Sequence, residues 1–293
     1  MTQKILVVGA TGNVGSGVLA ALVAGGADVR GLAHSEAGMA AVRQAGAEPV
    51  SGELTERSSL MGIFDGLDAA LVVTRGMDDQ VEMAANAIEA ARLAGVRHIV
   101  RLSAFVPEPA LRTILGRQHE EIDEILKASG VAYTILRPTF FMQNILGAAQ
   151  TIAADGLMYL PFGNGRAGII DIRDIVDVAV ETLLSSDGHE GRTYTLTGPA
   201  SISMYDVAKA FTNALGREIK YVDVPVQVGV DSFIAMGMPR FMADTFGELF
   251  VNFAQGGADR ATGDVEQVTG HPARSINDFA FDFASSFLAA TPA

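Results

Sequence analysis

The chain has 293 residues, 49% of them hydrophobic, which is enough to bury a core as one large domain or two modest ones and excludes a disordered tail. Lys and Arg number 21 against 34 Asp and Glu, a formal net charge of −13 that disfavours nucleic acid and anionic membranes as partners. Cysteine is absent, so no disulfide, thiol nucleophile or zinc–thiolate site is available, and no run reaches the ~18 apolar residues of a membrane span; a cytoplasmic protein is the expectation.

In chain order, β-branched runs predict strands over Ile5–Val8, Val29–Ala33, Pro49–Ser51, Ala69–Thr74, His98–Leu102 and Tyr133–Leu136. Amphipathic stretches fall between them: Gly15–Val23 stopped by Gly25-Gly26, Gln80–Ala94 by Gly95, and Leu111–Ser129 by Gly130. Buried strands alternating with regular helices predict an α/β fold with a Rossmann-like, doubly wound parallel sheet. Beyond Asn144 the rhythm loosens into short strands (Ile169–Asp171, Thr193–Thr197) and the helices Arg173–Leu184 and Met204–Leu215. The division expected is a dinucleotide-binding domain over 1–155, to which 168–198 partly returns, and a smaller C-terminal α+β substrate lobe over 156–293. Within that lobe, Met236-Gly-Met238-Pro-Arg-Phe-Met242 suits an adaptable apolar pocket wall and equally suits plain core filling.

Between the first strand and the first helix lies Gly9-Ala-Thr-Gly12-Asn-Val-Gly15. Gly9 permits a tight turn, Gly12 the close approach of a pyrophosphate, and Gly15 close helix–strand packing. Thr11, Asn13 and Val14 complete a loop whose N–H groups open toward phosphates. This pattern, with strand and helix in place, predicts a nicotinamide dinucleotide cofactor. The second strand ends in Ala33-His34-Ser35 with no acid at its tip, which leans toward NADP(H), His34 meeting the 2′-phosphate. Glu36 lies 21 positions past Gly15, near where an acid selecting NAD(H) occurs, and a surface histidine without a role is the alternative for His34. The five histidines show no metal-ligand spacing, and no metal is expected.

Together with this turn, the runs Gly52–Leu60, Ala94–Ser103, Ser129–Pro138, Phe140–Asn144, Asp171–Ala179 and Tyr194–Gly198 resemble the NmrA-like branch of the atypical short-chain dehydrogenases over essentially the whole chain. That branch includes quinone oxidoreductases, triphenylmethane-dye reductases and dinucleotide-sensing regulators, so the resemblance implies the fold more firmly than the activity. It also implies that Leu54 lies near the adenine with Glu53 alongside, that Thr74 contacts the cofactor, and that Pro138, Phe140, Phe141 and Asn144 frame the nicotinamide, Phe141 and Asn144 toward substrate. Two adjacent aromatics on an extended chain point opposite ways, so one of the two phenylalanines faces the cleft.

The wider superfamily uses Tyr-x-x-x-Lys on the helix after the fifth strand, the Tyr as acid or base. The corresponding positions here are Leu115 and His119, so the acid–base tyrosine is missing. Tyr205-Asp-Val-Ala-Lys209 reproduces the spacing in the wrong lobe and is read as a decoy. His119 is a candidate contact to the nicotinamide ribose or a substrate oxygen, oriented by Asp123. Ser103, at the end of the fifth strand, is the second candidate catalytic residue and a cofactor contact. Without a strong proton donor, simple ketone reduction is disfavoured. A quinone, dye or enone spreads the incoming charge and fits an apolar cleft made by the phenylalanines, Met236 and Met238, the proton coming from water or His119. The expectation is an NAD(P)H-dependent oxidoreductase of such a hydrophobic, conjugated or aromatic acceptor; the alternative is a dinucleotide-sensing regulator without turnover that binds a protein partner. A monomer and a dimer fit equally.

Overall fold

The structure, a computed structural model, describes residues 2–76, 78–107 and 113–288. In chain order it runs β1 (Lys4–Val8), α1 (Asn13–Ala24), β2 (Asp28–Ala33), α2 (Glu36–Gln44), β3 (Glu48–Ser51), β4 (Ala69–Val72), α3 (Gln80–Leu93), β5 (His98–Leu102), α4 (Ile114–Ala128) and β6 (Ala132–Pro138). It continues through α5 (Ala149–Asp155), β7 (Leu157–Leu160), β8 (Arg166–Ala167), α6 (Ile172–Leu184), β9 (Arg192–Leu196), β10 (Ile202–Ser203), α7 (Met204–Leu215) and β11 (Lys220–Asp223). Four helices close the chain: α8 (Val226–Ala235), α9 (Arg240–Ala254), α10 (Asp264–Thr269) and α11 (Ile276–Asp282).

Seven strands form one parallel sheet in the order β3-β2-β1-β4-β5-β6-β9. The order reverses between β1 and β4, which opens a crevice at the carboxyl ends of those strands, where parallel α/β sheets place their ligands. Alternation along each strand divides the core. Ile5, Val7, Val100 and Leu136 pack on one face under α1 and α6, whose buried stripes include Val18, Leu22, Ile175 and Val178. Leu6, Val8, Ile99 and Ile135 pack on the other under α3 and α4, against Ala84, Ile88, Ile122 and Leu126. A separate core of phenylalanines and methionines, among them Phe140, Phe162, Phe211, Phe250, Phe253 and Phe279, fills the C-terminal lobe. Among the described residues no helix is long and apolar enough to cross a membrane.

Three expectations need adjustment. Ile169–Asp171 forms no strand but a single bridge, Phe141 to Ile170, because Asp171 turns at once to cap α6 by accepting from the Arg173 N–H. The helix expected from Leu111 begins at Ile114, with Thr113 as its cap; Leu111 lies outside the described residues. The sixth strand extends beyond Tyr133–Leu136 to Pro138.

The β1–α1 turn is held by backbone geometry. Gly9 sits at φ +79°, and its carbonyl accepts the Gly12 N–H at 3.0 Å. A Cβ on Gly15 would lie 2.1 Å from the Gly9 oxygen, so α1 can approach the strand only without a side chain there. Gly15→Ala should therefore displace the turn and destabilise the protein by about 3 kcal/mol, a fall of roughly 5–10 °C in Tm measured by thermal unfolding.

His98 supplies a pH dependence. The Thr134 hydroxyl donates to the His189 carbonyl at 2.8 Å, so at 3.0 Å it accepts from His98 Nε2–H, and the buried Nδ1 has no partner. Burial lowers the His98 pKa, with Glu190 opposing. A histidine whose folded pKa is depressed gives its full stability above about pH 6.5 and loses it as pH falls through the folded value. Tm should decline as pH falls below about 6.5, and His98→Leu, which leaves Thr134 bonded to His189, should flatten that decline; an unaltered decline would show that burial of His98 is not its cause.

Candidate active site

The N terminus of α1 is bare. Its cap, Gly12, has an extended backbone and no side chain to close the first turn, and no acid lies in that turn, whereas Ser35, Thr113, Ser203 and Ser275 cap their own helices. Unlike Gly9 and Gly15, Gly12 is not required by packing: a Cβ there would meet nothing nearer than the Gly9 oxygen at 3.4 Å. Its missing side chain leaves room outside the protein. Unsatisfied N–H groups and the positive end of the helix dipole face that room, an environment suited to an anion such as a pyrophosphate.

From this turn a cavity of about 400 Å³ runs along the carboxyl edge of the sheet to the C-terminal lobe. Gly12, Asn13 and Val14 stand at one end, Thr74, Ser103, His119 and Pro138 along the middle, and Met242, Phe246, Leu249 and Phe253 of α9 on the far wall, with Phe105, Phe140, Phe141 and Asn144 between. Thr74 Oγ1 is buried without a hydrogen-bond partner among the described residues. The middle wall is fixed by strand pairing that runs past β5: Ser103 N–H donates to Leu136 O at 2.8 Å and Phe105 N–H to Pro138 O at 2.9 Å. The segment after β6 is fastened to α6, Gln143 donating to Asp171 Oδ1 at 2.8 Å and accepting from Ile172 N–H at 3.0 Å.

Behind the middle wall is a buried polar group. Alternation places Arg101 and Ser103 on the α4 side of β5 and Arg137 on the same side of β6, where α4 presents His119 and Asp123 one turn apart. Ser103 Oγ donates to Asp123 Oδ2 at 3.0 Å, and Arg137 Nη2 donates to the same oxygen at 2.8 Å. Arg101 is fully buried, donating through Nη1 to the carbonyls of Leu102 and Val72 and lying with Nη2 3.2 Å from His119 Nδ1. Burial lowers the Arg101 pKa to about 10, against the pull of Asp123, so it remains a cation at neutral pH. His119 is pushed well below the ordinary imidazole value, first by burial and then by the charges of Arg101 and Arg137, so it is neutral there.

The cavity brings together Gly12, Asn13, Val14, Thr74, Ser103, His119, Pro138, Phe140, Phe141 and Asn144. Gly9 and Gly15 shape the turn from behind. Thr11 and His34 are exposed at its outer end, and Leu54 lies half-buried in the loop after β3, its carbonyl accepting from Asn86 at 2.8 Å; none of the three lines the cavity. Asp123 does not orient His119, since its bonded oxygen is taken by Ser103 and Arg137 and Arg101 is the partner of the ring. Both Phe140 and Phe141 reach the cavity, because the chain leaves the extended path after Pro138 and turns into a 3₁₀ segment at Met142.

Met236 and Met238 are displaced from their expected place. The turn at Gly237, φ +88°, lies between α8 and α9 and leaves Met236 72% exposed, while Met242, in the first turn of α9, lines the cavity instead. Tyr205, the decoy, is also exposed, edge-on to Tyr221 and away from the cavity. The α9 wall was signalled by the spacing of Met242, Thr245, Phe246, Leu249 and Phe253 along one helical stripe. Arg101 was signalled by its place as a guanidinium inside a strand otherwise buried on both faces.

Comparison with known proteins agrees with this architecture. The model of the NmrA-like family matches residues 1–280. An NAD(P)H azoreductase from Xenophilus azovorans is 37% identical over 290 residues, covering 98% of this chain and 100% of the relative. A (4-alkanoyl-5-oxo-2,5-dihydrofuran-3-yl)methyl phosphate reductase from Streptomyces griseus is 33% identical over 284 residues, covering 97% and 99%. The solved structure of the Escherichia coli NADPH-dependent quinone oxidoreductase in complex with NADPH superposes with a TM-score of 0.84 at 22% identity, covering 96% of this chain and 99% of that one, and shares its fold. A family match across nearly the whole chain, with two full-length relatives above 30% identity, shows that the chain belongs to the NmrA-like family.

Proposed function

We propose that the protein is an NAD(P)H-dependent reductase that passes hydride to a hydrophobic, conjugated or aromatic acceptor of quinone, dye or enone type, with NADP(H) preferred. The observation that carries this reading is the continuity of one cavity from the bare N terminus of α1, past Thr74, Ser103 and His119, to the aromatic wall of α9. The activities named for the azoreductase and the furanyl phosphate reductase, both full-length relatives, support it.

The residues present fit a nicotinamide dinucleotide. The N–H groups of Asn13, Val14 and Gly15 would take the pyrophosphate beside a Gly12 whose Cβ position is free, and the buried, unpartnered Thr74 hydroxyl awaits a polar group from the cavity side. When bound, the reduced cofactor supplies the hydride. The protein aligns and excludes water: Phe105, Phe141, Phe246 and Leu249 give a flat acceptor apolar surfaces to lie against, and the planar partner is held without a covalent step. His119, neutral at pH 7, is no imidazolium acid, so the proton that follows hydride addition comes from solvent. A conjugated acceptor tolerates this because its added charge is delocalised. A sensor without turnover would need the dinucleotide end of the cavity but has no use for the α9 wall, which favours the reductase.

The preference for NADP(H) rests on the end of β2. It stops at Ala33 with no acid at its tip; His34 follows, exposed, and Glu36 is already the first residue of α2, its cap Ser35 bonded to the Gly38 N–H at 3.2 Å. Thr11 lies beside this corner, its methyl 3.4 Å from where a Gly38 Cβ would stand.

Three measurements test these assignments. Adding a quinone, an azo or triarylmethane dye, or an aromatic enone to protein with NADPH should oxidise the nicotinamide, followed by its absorbance; binding of NADPH with no oxidation by any of these would overturn the reductase reading. Gly12→Val should abolish binding of both nucleotides while leaving Tm within a few degrees of the parent, and normal affinity would mean that the phosphates lie elsewhere. His34→Ala should weaken NADPH binding by about threefold to tenfold, about 0.7–1.4 kcal/mol, and leave NADH unchanged; an equal effect on both would remove His34 from the 2′-phosphate.

A further inference from the structure

The contact between Arg101 and His119 fixes more than a position. A guanidinium has donors and no acceptor, so at 3.2 Å Arg101 Nη2 donates and His119 Nδ1 accepts through its lone pair. The Arg101 head cannot turn away, because Nη1 is held by the carbonyls of Leu102 and Val72. A neutral imidazole whose Nδ1 accepts carries its proton on Nε2, the ring edge away from Arg101, on a residue that lines the cavity. Protonating Nδ1 would place N–H against N–H and a second cation beside Arg101, with Arg137 on β6 adding to the repulsion. Among the described residues no carboxylate offsets this. Asp123, on the same helix as His119, has its bonded oxygen taken by Ser103 and Arg137, and Glu248 from α9 is bonded to the Ile114 N–H at 2.6 Å. On the α3 side Gln80 donates to Gln118 at 2.7 Å, an uncharged pair.

We infer that Arg101 is a positioning residue that locks His119 as a neutral Nε2–H hydrogen-bond donor facing the cleft, there to hold an oxygen or nitrogen of the acceptor as charge develops on it. Ser103 is its complement: the hydroxyl proton is committed to Asp123, which leaves the oxygen lone pairs for a donor from the cleft. The wall thus offers one donor and one acceptor, each set by a charged residue, Arg101 or Asp123, that does not itself line the cavity. A fixed neutral donor aimed where charge appears requires no proton transfer from the protein and no reorganisation when the charge forms. The role toward the acceptor rests on the reductase reading; the tautomer does not.

The test begins with the free protein, labelled with nitrogen-15 in its histidines, so that it reports whether or not any acceptor is reduced. His119 should show Nε2 protonated and Nδ1 bare, with no titration near the ordinary imidazole value of about 6.5. Arg101→Met should give mixed tautomers, because no donor then holds Nδ1, and should raise the His119 pKa from its value in the parent, whereas Arg101→Lys, which keeps a donor and a charge, should retain the single tautomer. A proton on Nδ1 in the parent, titration near pH 6.5, or unchanged signals in Arg101→Met would overturn the lock; the parent spectrum and Arg101→Lys decide it if the methionine variant does not fold. In turnover, His119→Gln keeps an N–H donor and should lose less than about fivefold in kcat/KM, while His119→Ala loses about tenfold to a hundredfold. Equal losses in the two, with the tautomer confirmed, would contradict the donor role alone.

Discussion

The site depends on the close approach of α1 to the end of β1. With the Gly9 oxygen only 2.1 Å from the place of a Gly15 Cβ, helix and strand meet backbone to backbone, and no side chain caps the helix that follows. The same geometry that tightens the turn leaves the first N–H groups of α1 unsatisfied and aims them into the crevice opened by the reversal of strand order between β1 and β4. A constraint of packing therefore becomes a binding surface, because the polar groups it strands have no partner inside the protein.

The middle of the cavity is governed by a different balance. Two guanidiniums and one carboxylate are drawn beneath the carboxyl ends of β5 and β6, a costly arrangement that persists because each is hydrogen-bonded to a neighbour. Its consequence lies in the cavity wall: a histidine kept neutral by burial and by the two guanidiniums, and a serine whose hydroxyl hydrogen is committed to a carboxylate. The titratable ring in the middle of the wall is uncharged, and Leu115, one turn before it on α4, lines the cavity as an apolar surface. Chemistry that asks the protein for a strong acid is poorly served by such a wall, whereas an acceptor able to spread charge asks only for alignment and a fixed donor.

Much of this could be read in the sequence. The strands and the turn glycines follow from local patterns, and local patterns survive folding, whereas Thr74, Ser103, His119, Pro138 and Asn144, which line the cavity, were pointed to by the family resemblance. Partnerships across elements could not be read. Asp123 is one helical turn from His119 and looks like its partner, but Arg137, fourteen residues further on, reaches the carboxylate from β6, and Arg101 reaches the ring from β5. The methionine segment failed for a different reason: composition marked it as pocket material, but the turn at Gly237, closed by backbone hydrogen bonds from Gly237 and Met238 to Ile234 and Phe233, leaves Met242 and not Met236 or Met238 on the cavity. The paired phenylalanines misled because alternation holds only while the chain is extended.

Central to this account is that the cavity holds the nicotinamide in one orientation against a bound acceptor and passes hydride directly between them. The most direct measurement is the single-turnover rate of NADPH oxidation by a quinone, with deuterium placed on one or the other face of the nicotinamide C4. A fixed pocket predicts that deuterium on one face slows the reaction and deuterium on the other does not. Equal slowing from both faces, or no slowing from either, would contradict direct transfer in an ordered site.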